Sequence, residues 1–486
     1  MAAGGLKPPA ISVRFRAFFE MVTVMDARRA WSAALRGQPA QAILSDLKVL
    51  AKLASPVVIS RLGIMAMGLT DTLVVGRYSA VQLGYIALGW APTSVFVVVT
   101  VSLLSGIPVM TSRAMGEGKP HLAGAVLRRG LVYAFMIGAA GTAILLLFGP
   151  AFLHAVGLER SLAGGASRVM VILALSMIPN ALSNALSQWL EAIRRPTPAM
   201  TMMWLANAVN LAVDLMLVPG HPGVPALGAV GAGFATLGAR TFLTLALALY
   251  VVRMPDARAL GVFDKPARDV ASETEQRRVG YGAGASGFFE VAAFSGMNII
   301  AGWVGPLGIA AYTVALNVVS VAFMIPLGLA TAAGVLVGNA YGARKPRDLN
   351  RAAGVSFGVT AAFGTLVTLA VWPTAALIAS GYTHDPQAGP MATAALILCC
   401  LFLIPDALQV VAAQCLRARG DVFVPSVTHF ISYVGVMIPA AYLFAIRLHA
   451  GINGIIWAAI VASLLSASLL LGRFWILRGR DLPAAA

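Results

Sequence analysis

Residues 291–343 read VAAFSGMNIIAGWVGPLGIAAYTVALNVVSVAFMIPLGLATAAGVLVGNAYGA, 53 consecutive positions without an Asp, Glu, Lys or Arg. About 20 residues of helix cross a bilayer core, so this run holds two spans and the turn between them. It is not alone: residues 78–112 make an uncharged run of 35, 352–383 one of 32, and 422–446 and 448–472 runs of 25 each. A membrane β-barrel needs alternating segments of about ten residues; these runs are continuous, so helices are indicated. Of the 486 residues 59% are hydrophobic and 11% charged, with a mean hydropathy of +0.83. Soluble domains carry about 25% charged residues, so a soluble globule, a disordered chain and a disulfide-stapled chain are all excluded. Cys399, Cys400 and Cys415 lie inside apolar segments, and no disulfide is expected.

Twelve spans fit the chain, at 48–75, 83–112, 123–149, 168–190, 197–219, 228–252, 279–303, 307–338, 352–380, 391–416, 423–446 and 451–477. The net charge of +16 invites a nucleic-acid reading until its placement is checked. Of the 35 Lys and Arg, 29 fall in the first segment and in every second loop, four fall in the other loops, and Arg61 and Arg240 lie within spans. That is the positive-inside bias. It puts both termini in the cytoplasm and turns the basic charge toward anionic lipid rather than nucleic acid. Residues 1–46 read as a cytoplasmic tail without the apolar core of a cleaved signal. Phe18, Phe19, Met21 and Val24 there suit either a short interfacial helix or a disordered start.

The chain also resembles itself. Pro108-Val-Met-Thr-Ser-Arg-Ala-Met-Gly116-Glu-Gly-Lys119-Pro120 returns in the second half as Gly334-Val-Leu-Val-Gly-Asn-Ala-Tyr-Gly342-Ala-Arg-Lys345-Pro346. Ile178-Pro179-Asn180-Ala181-Leu182 returns at the same offset as Ile404-Pro405-Asp406-Ala407-Leu408, and Gly228-Ala-Val-Gly231 returns at nearly the same offset as Gly451-Ile-Asn-Gly454. Three matches in one order indicate a duplication. Each copy holds six spans, an even number, so the copies share one orientation about an axis along the membrane normal. The expected fold is an all-α integral membrane protein, twelve transmembrane helices in two pseudo-symmetric six-helix lobes. Its expected parts are the tail 1–46, an N-lobe 47–252, a cytoplasmic linker 253–278, a C-lobe 279–477 and a tail 478–486. Two such lobes suit an alternating-access carrier better than a channel or a membrane enzyme, by analogy of architecture.

Acidic residues within spans are few: Asp71, Asp214, Glu290 and Asp406. Each charge in hydrocarbon costs about 2.5–3.5 kcal/mol even on insertion scales, so each is a candidate functional group. Asn207, Asn210 and Asp214 share one helical face, a stripe of hard oxygens suited to a small cation or a proton relay, or else to a structural hydrogen-bonded cluster. Asp71 either belongs to the machinery or sits at the interface. Asp406 follows Pro405, and its counterpart in the first copy is the neutral Asn180, which hints at asymmetric lobes. Arg61 and Arg240 need partners within the membrane; pairing with the acids and exposure to a cavity are both open. Pro56, Pro92, Pro179, Pro326, Pro405 and Pro439 are expected to interrupt spans. No HExxH, P-loop or GxSxG is present, and the six His are scattered, so no enzyme is indicated. With no nucleotide-binding motif in the chain, an ion gradient is the expected energy source unless a partner supplies ATP.

These residues resemble the MATE (multidrug and toxic compound extrusion) transporters, in the NorM-like branch. The likeness rests on Asp71-Thr72…Gly76…Ser79-Ala80, on Glu290…Pro306-Leu-Gly308…Ala315-Leu-Asn317…Pro326, on Val337-Gly-Asn339…Gly342, and on Pro405-Asp406…Leu416-Arg417…Gly420-Asp421. The resemblance implies a monomer in the bacterial inner membrane that exchanges cytoplasmic organic cations for external Na⁺ or H⁺, with no other cofactor. It implies that Glu290 and Asp406 hold the coupling cation in the second lobe. It matches Asp71, Asn210, Asp214 and Thr236 to the polar cluster of the first, where Na⁺ would be the alternative occupant. Asn317 enters as a secondary candidate by the same likeness. The chain departs from the family at Thr313 and Arg113, where Gln is frequent, and at Ala285, where helix seven often begins with Pro. These departures bear on drug specificity rather than fold. The neighbouring reading is a lipid-linked oligosaccharide flippase, which would favour a basic central cavity and draws on Arg61 and Arg240; a membrane-embedded enzyme is the competitor from another class.

Overall fold

In hydrocarbon every backbone N–H and C=O must be satisfied within the chain, and continuous apolar runs do this as helices. The computed structural model describes residues 39–155, 159–223, 225–265, 269–383 and 385–478, so the interfacial helix considered for residues 18–24 lies outside the described residues. Among the described residues eleven helices are long and apolar enough to cross a bilayer, and one bent pair makes a twelfth. In chain order they are α1 Ala40–Tyr78, α2 Ala80–Gly116, α3 Leu122–Ala155, α4 Arg160–Leu175 plus Met177–Ala192, α5 Pro196–Leu217 and α6 Ala229–Arg253. The second set is α7 Val270–Val304, α8 Pro306–Gly342, α9 Pro346–Tyr382, α10 Ala388–Ala418, α11 Phe423–Arg447 and α12 Gly451–Arg478. Most helices overrun the expected spans by several residues. α7 begins at Val270, so the last residues of the charged stretch 253–278 are helical.

Most of the prolines do not break their spans. Pro56, Pro92, Pro326 and Pro405 sit inside continuous helices. The breaks come at Leu104–Ser105 in α2 and at Ser176 in α4, where the two pieces meet at 40° three residues before Pro179. Pro439 lies between two widened, π-helical stretches of α11, Phe430–Met437 and Leu443–Arg447. Such turns leave backbone groups that neighbours must satisfy. At the α4 break Ser176 Oγ donates to Leu173 O at 2.6 Å, and Thr244 Oγ1 on α6 lies 2.7 Å from Pro179 O.

The duplication is visible in the backbone. Gly118 and Arg344, at equivalent places in the two copies, both take left-handed turns (φ 72° and 55°). So do the equivalent pair Arg194 and Gly420 (63° and 100°), and the pair Gly228 and Gly451 (56° and 57°). One apolar core fills the N-lobe around Trp189 and Leu190, another the C-lobe around Met297 and Ile455. A third crosses the seam, joining Leu50, Leu53 and Ala54 of α1 to Leu329 and Leu336 of α8.

The lobes meet about the pseudo-two-fold axis through backbone. A Cβ on Gly116 would strike the carbonyl of Asn339, and a Cβ on Gly342 the carbonyl of Arg113. The repeat relates these two contacts to each other, Gly116 answering to Gly342 and Arg113 to Asn339. Gly280 lies against Leu103 O, and Gly328 against Val58. All these approaches fall in the halves of α1, α2, α7 and α8 nearer the basic loops. Charges close the same end. Arg113 pairs with Glu275 and donates to Ala418 O (3.0 Å) and Arg417 O (3.1 Å), and Asp46 on α1 meets Arg351 on α9 at 2.7 Å. The lobes are therefore shut at the basic face. Gly342→Leu should cost about 1–3 kcal/mol by overpacking and open this end. The expected result is a lowered melting temperature and greater alkylation of cysteines placed at the seam, with Gly472→Ala, where nothing lies within 4 Å, close to wild type.

Candidate functional site

In the N-lobe three helices deliver one cluster. Asp71 comes from α1, Asn210 and Asp214 from successive turns of α5, and Thr236 from α6, and all four are buried. Asn210 Nδ2 donates to Asp71 Oδ1 at 3.0 Å and Thr236 Oγ1 to Asp71 Oδ2 at 2.7 Å. Asp71 is thus no interfacial residue; α1 continues for two more turns beyond it, to Tyr78. Asp214 stands beside Asp71, fully buried, yet neither of its oxygens meets a donor, and Asn210 Oδ1 is likewise unpartnered. Two buried carboxyl groups side by side cannot both remain bare anions. The oxygens of Asp214, Asn210 and Asp71 suit a shared proton or a small hard cation.

The other polar residues of this lobe go elsewhere. Asn207 shares a face with Asn210, but its Nδ2 donates to Gly63 O (3.0 Å) and Met203 O (2.9 Å), tying α5 to α1 outside the cluster. Arg61 meets Glu191 at 3.4 Å instead of the acids. Arg240 Nη1 donates to Ser176 Oγ at 2.7 Å and its guanidinium lies over Trp90, 5.4 Å from the ring centre, with Asp71 as its nearest acidic influence. Asn180 accepts weakly from Asn184 at 3.4 Å, and its own amide donor is unpaired.

The C-lobe site is looser. Asp406 on α10 is buried, with Ser463 Oγ of α12 at 3.4 Å and Gln409 Nε2 at 3.5 Å from its Oδ1. Glu290 on α7 is its acidic neighbour, and Arg417 is the basic neighbour of Glu290. Tyr433, in the first widened turn of α11, faces Asp406, and the His429 ring packs edge-on against it at 5.5 Å. Buried polar atoms without partners concentrate here: Gln409 Oε1, Arg417 Nε and Nη2, both His429 nitrogens, and the Tyr433 hydroxyl. Asn317 is exposed on α8. An exposed amide in mid-span is tolerated where it lines a polar cleft rather than lipid.

Sequence reasoning missed Glu191, Arg417 and His429 as buried groups. The first two lie one residue beyond the expected ends of their spans, so a window wider by a single turn would have found them. His429 stood inside its span and was passed over as one of six scattered histidines.

The profile of the MatE family matches residues 56–216 and again 283–443, two stretches of equal length, one in each lobe. The chain is 56% identical over 465 residues to the "Probable multidrug resistance protein NorM" of Caulobacter vibrioides, covering 96% of this chain and 99% of that one. It is 29% identical to the "Multidrug resistance protein PmpM" of Pseudomonas aeruginosa, covering 88% and 91%. Its fold superimposes on a solved outward-facing conformation of a multidrug resistance MATE family transporter of the MOP superfamily with a TM-score of 0.81, at 19% identity, over 90% of this chain and 98% of that one. With two lobes of six helices, a family match in each and a near-full-length NorM relative, the chain belongs to the MATE family of multidrug efflux transporters, in its NorM-like branch.

Proposed function

We propose that the chain is a cation-coupled antiporter that exports organic cations by alternating access, with Na⁺ or H⁺ as the coupling ion. The observation that carries this reading is the pair Asp71–Asp214, buried together with three oxygens free of donors. The second pair, Glu290–Asp406, stands among unpartnered polar atoms in the other lobe. Taking the basic face as cytoplasmic, in a bacterial inner membrane with both termini inside, the closed seam corresponds to an outward-facing state. External cations then reach the carboxylates and neutralise them, which weakens their hold on a positively charged cargo. The lobes rock, the ion leaves to the cytoplasm, and the recharged acids take up the next cargo. The transporter acts as a monomer in this scheme, since each lobe builds its own site from its own helices.

The flippase alternative would use a basic central cavity. Arg61 is paired with Glu191 and Arg240 is docked on Ser176 and Trp90, so neither is a free cation offered to a diphosphate.

Where two coupling cations enter for each singly charged cargo that leaves, one net charge moves inward and gains about 2.3 kcal/mol per 100 mV, which sustains a cargo ratio of roughly fiftyfold across the membrane. Glu290→Gln and Asp406→Asn are expected to bring the steady-state ratio of a fluorescent organic cation toward one in everted vesicles while protein levels stay normal. Full efflux in both variants would falsify the assignment of the C-lobe pair.

Asp71→Asn tests the N-lobe separately. It keeps the shape but removes the charge that Asn210 and Thr236 serve, and uptake is expected to lose its response to the coupling ion. The ion itself is read by imposing a Na⁺ gradient or a pH gradient on the same vesicles; accumulation that follows neither would end the antiport reading.

A further inference from the structure

We propose that the seam between the lobes carries a binding site for one anionic phospholipid of the leaflet on the basic face. A groove of about 280 Å³ runs between α3 and α7 where α2 breaks. Its walls come from both lobes, with Leu103, Ile107, Tyr133 and Met136 on one side and Arg277 and Tyr281 on the other. The volume lies just under the range of pockets that take drug-sized molecules and suits a phosphate group with the first part of a single acyl chain.

The groove opens onto hydrocarbon. Beside it on α3 stand Val132, Phe135 and Met136, and on α7 Tyr281 and Phe288, all large, apolar or aromatic, and more than half exposed. Depth gives the headgroup its place. Arg277 is two turns into α7, about 10 Å along the axis from its basic end, and Met136 is four turns into α3, about 20 Å. The groove thus spans the zone from headgroup to upper acyl chain, where Tyr and Arg are at home.

Charge selects the lipid. The Arg277 guanidinium stacks on the Tyr133 ring, 6.0 Å from its centre, and among the described residues no carboxylate stands within ion-pair distance of it. Its neighbour Arg129 is already engaged with Ser272 (2.8 Å) and Gln276 (3.2 Å), which holds α3 to α7 just above the groove. An unpaired guanidinium at the mouth of an apolar slot fits a phosphodiester with a net negative charge better than a zwitterion. Because both lobes build the walls, the occupant bridges the seam and is held only while the basic face is closed.

The test is native mass spectrometry of the intact protein released from nanodiscs of equal phosphatidylglycerol and phosphatidylcholine. Wild type is expected to retain phosphatidylglycerol over phosphatidylcholine by about fivefold, the effect of one Arg at an anionic surface. Arg277→Gln should erase the preference, and Ile137→Trp, which fills the apolar end, should remove the retained lipid of either kind. Arg447→Gln, at the opposite end of the bundle, should leave both unchanged. Equal retention of the two lipids by wild type, or an unaltered preference in Arg277→Gln, overturns the site; so does normal retention in Ile137→Trp.

Discussion

A charge placed in hydrocarbon has to find its partners inside the bundle, and much of this molecule follows from that. It explains the sparse use of acids and why Asp71 ties several helices together. Asp71 receives its donors from α5 and α6, so the cluster is also the bolt that fixes three helices of the N-lobe. The same rule sorts the buried groups by role. Arg61 with Glu191, and Arg240 with Ser176, are satisfied and read as structure. Asp214 is fully buried beside another carboxyl and is not satisfied. That unmet bonding capacity beside a second carboxyl is what the proposed ion site rests on.

The seam obeys a different rule of contact. Helices that slide or rock against each other cannot be locked by deep interdigitation. Here they touch through glycine against carbonyl at Gly116, Gly342 and Gly280, with apolar packing concentrated between α1 and α8. Around this lie a few polar ties, Arg113 to Glu275 and the end of α10, and Asp46 to Arg351. Flat, small-residue surfaces with breakable ion pairs are what a two-state interface requires. The reciprocal placement of Gly116 with Asn339 and Gly342 with Arg113 means that both lobes build the seam alike.

The fold was largely legible because its determinants are local and repetitive. Span positions follow from uncharged runs, and the lobes from the return of Gly-x-x-Lys-Pro in the second half. The N-lobe site was legible in part. Asn210 and Asp214 announce a shared face by spacing, but the same spacing admits Asn207, and only the approach of Gly63 on α1 decides that Asn207 bonds backbone there. What one sequence cannot state is which neighbouring helix closes on a given face. Arg417 and His429 illustrate the other failure. Both lie near the basic ends of helices, where a charged side chain ordinarily reaches water, yet α10 and α11 bury them. Burial at a helix end depends on neighbouring helices, not on the residue's own segment.

The duplicated scaffold and the charges it carries do not follow the same symmetry. At the offset of the repeat, Asp71 answers to Met297 and Glu290 to Ile64. Asp406 does have a polar equivalent, Asn180, which is buried with its amide donor unpaired. A helical frame can be copied whole, since each helix satisfies its own backbone. A buried carboxylate cannot, because its donors sit on other helices and must be acquired with it. The N-lobe assembled its acid site on α1, α5 and α6, and the C-lobe on α7 and α10 with help from α11 and α12. In the proposed exchange cycle the symmetric frame would let either face close, while the unequal sites would let the two lobes hold their ions with different strength. Equal halves thus move together without being obliged to bind together.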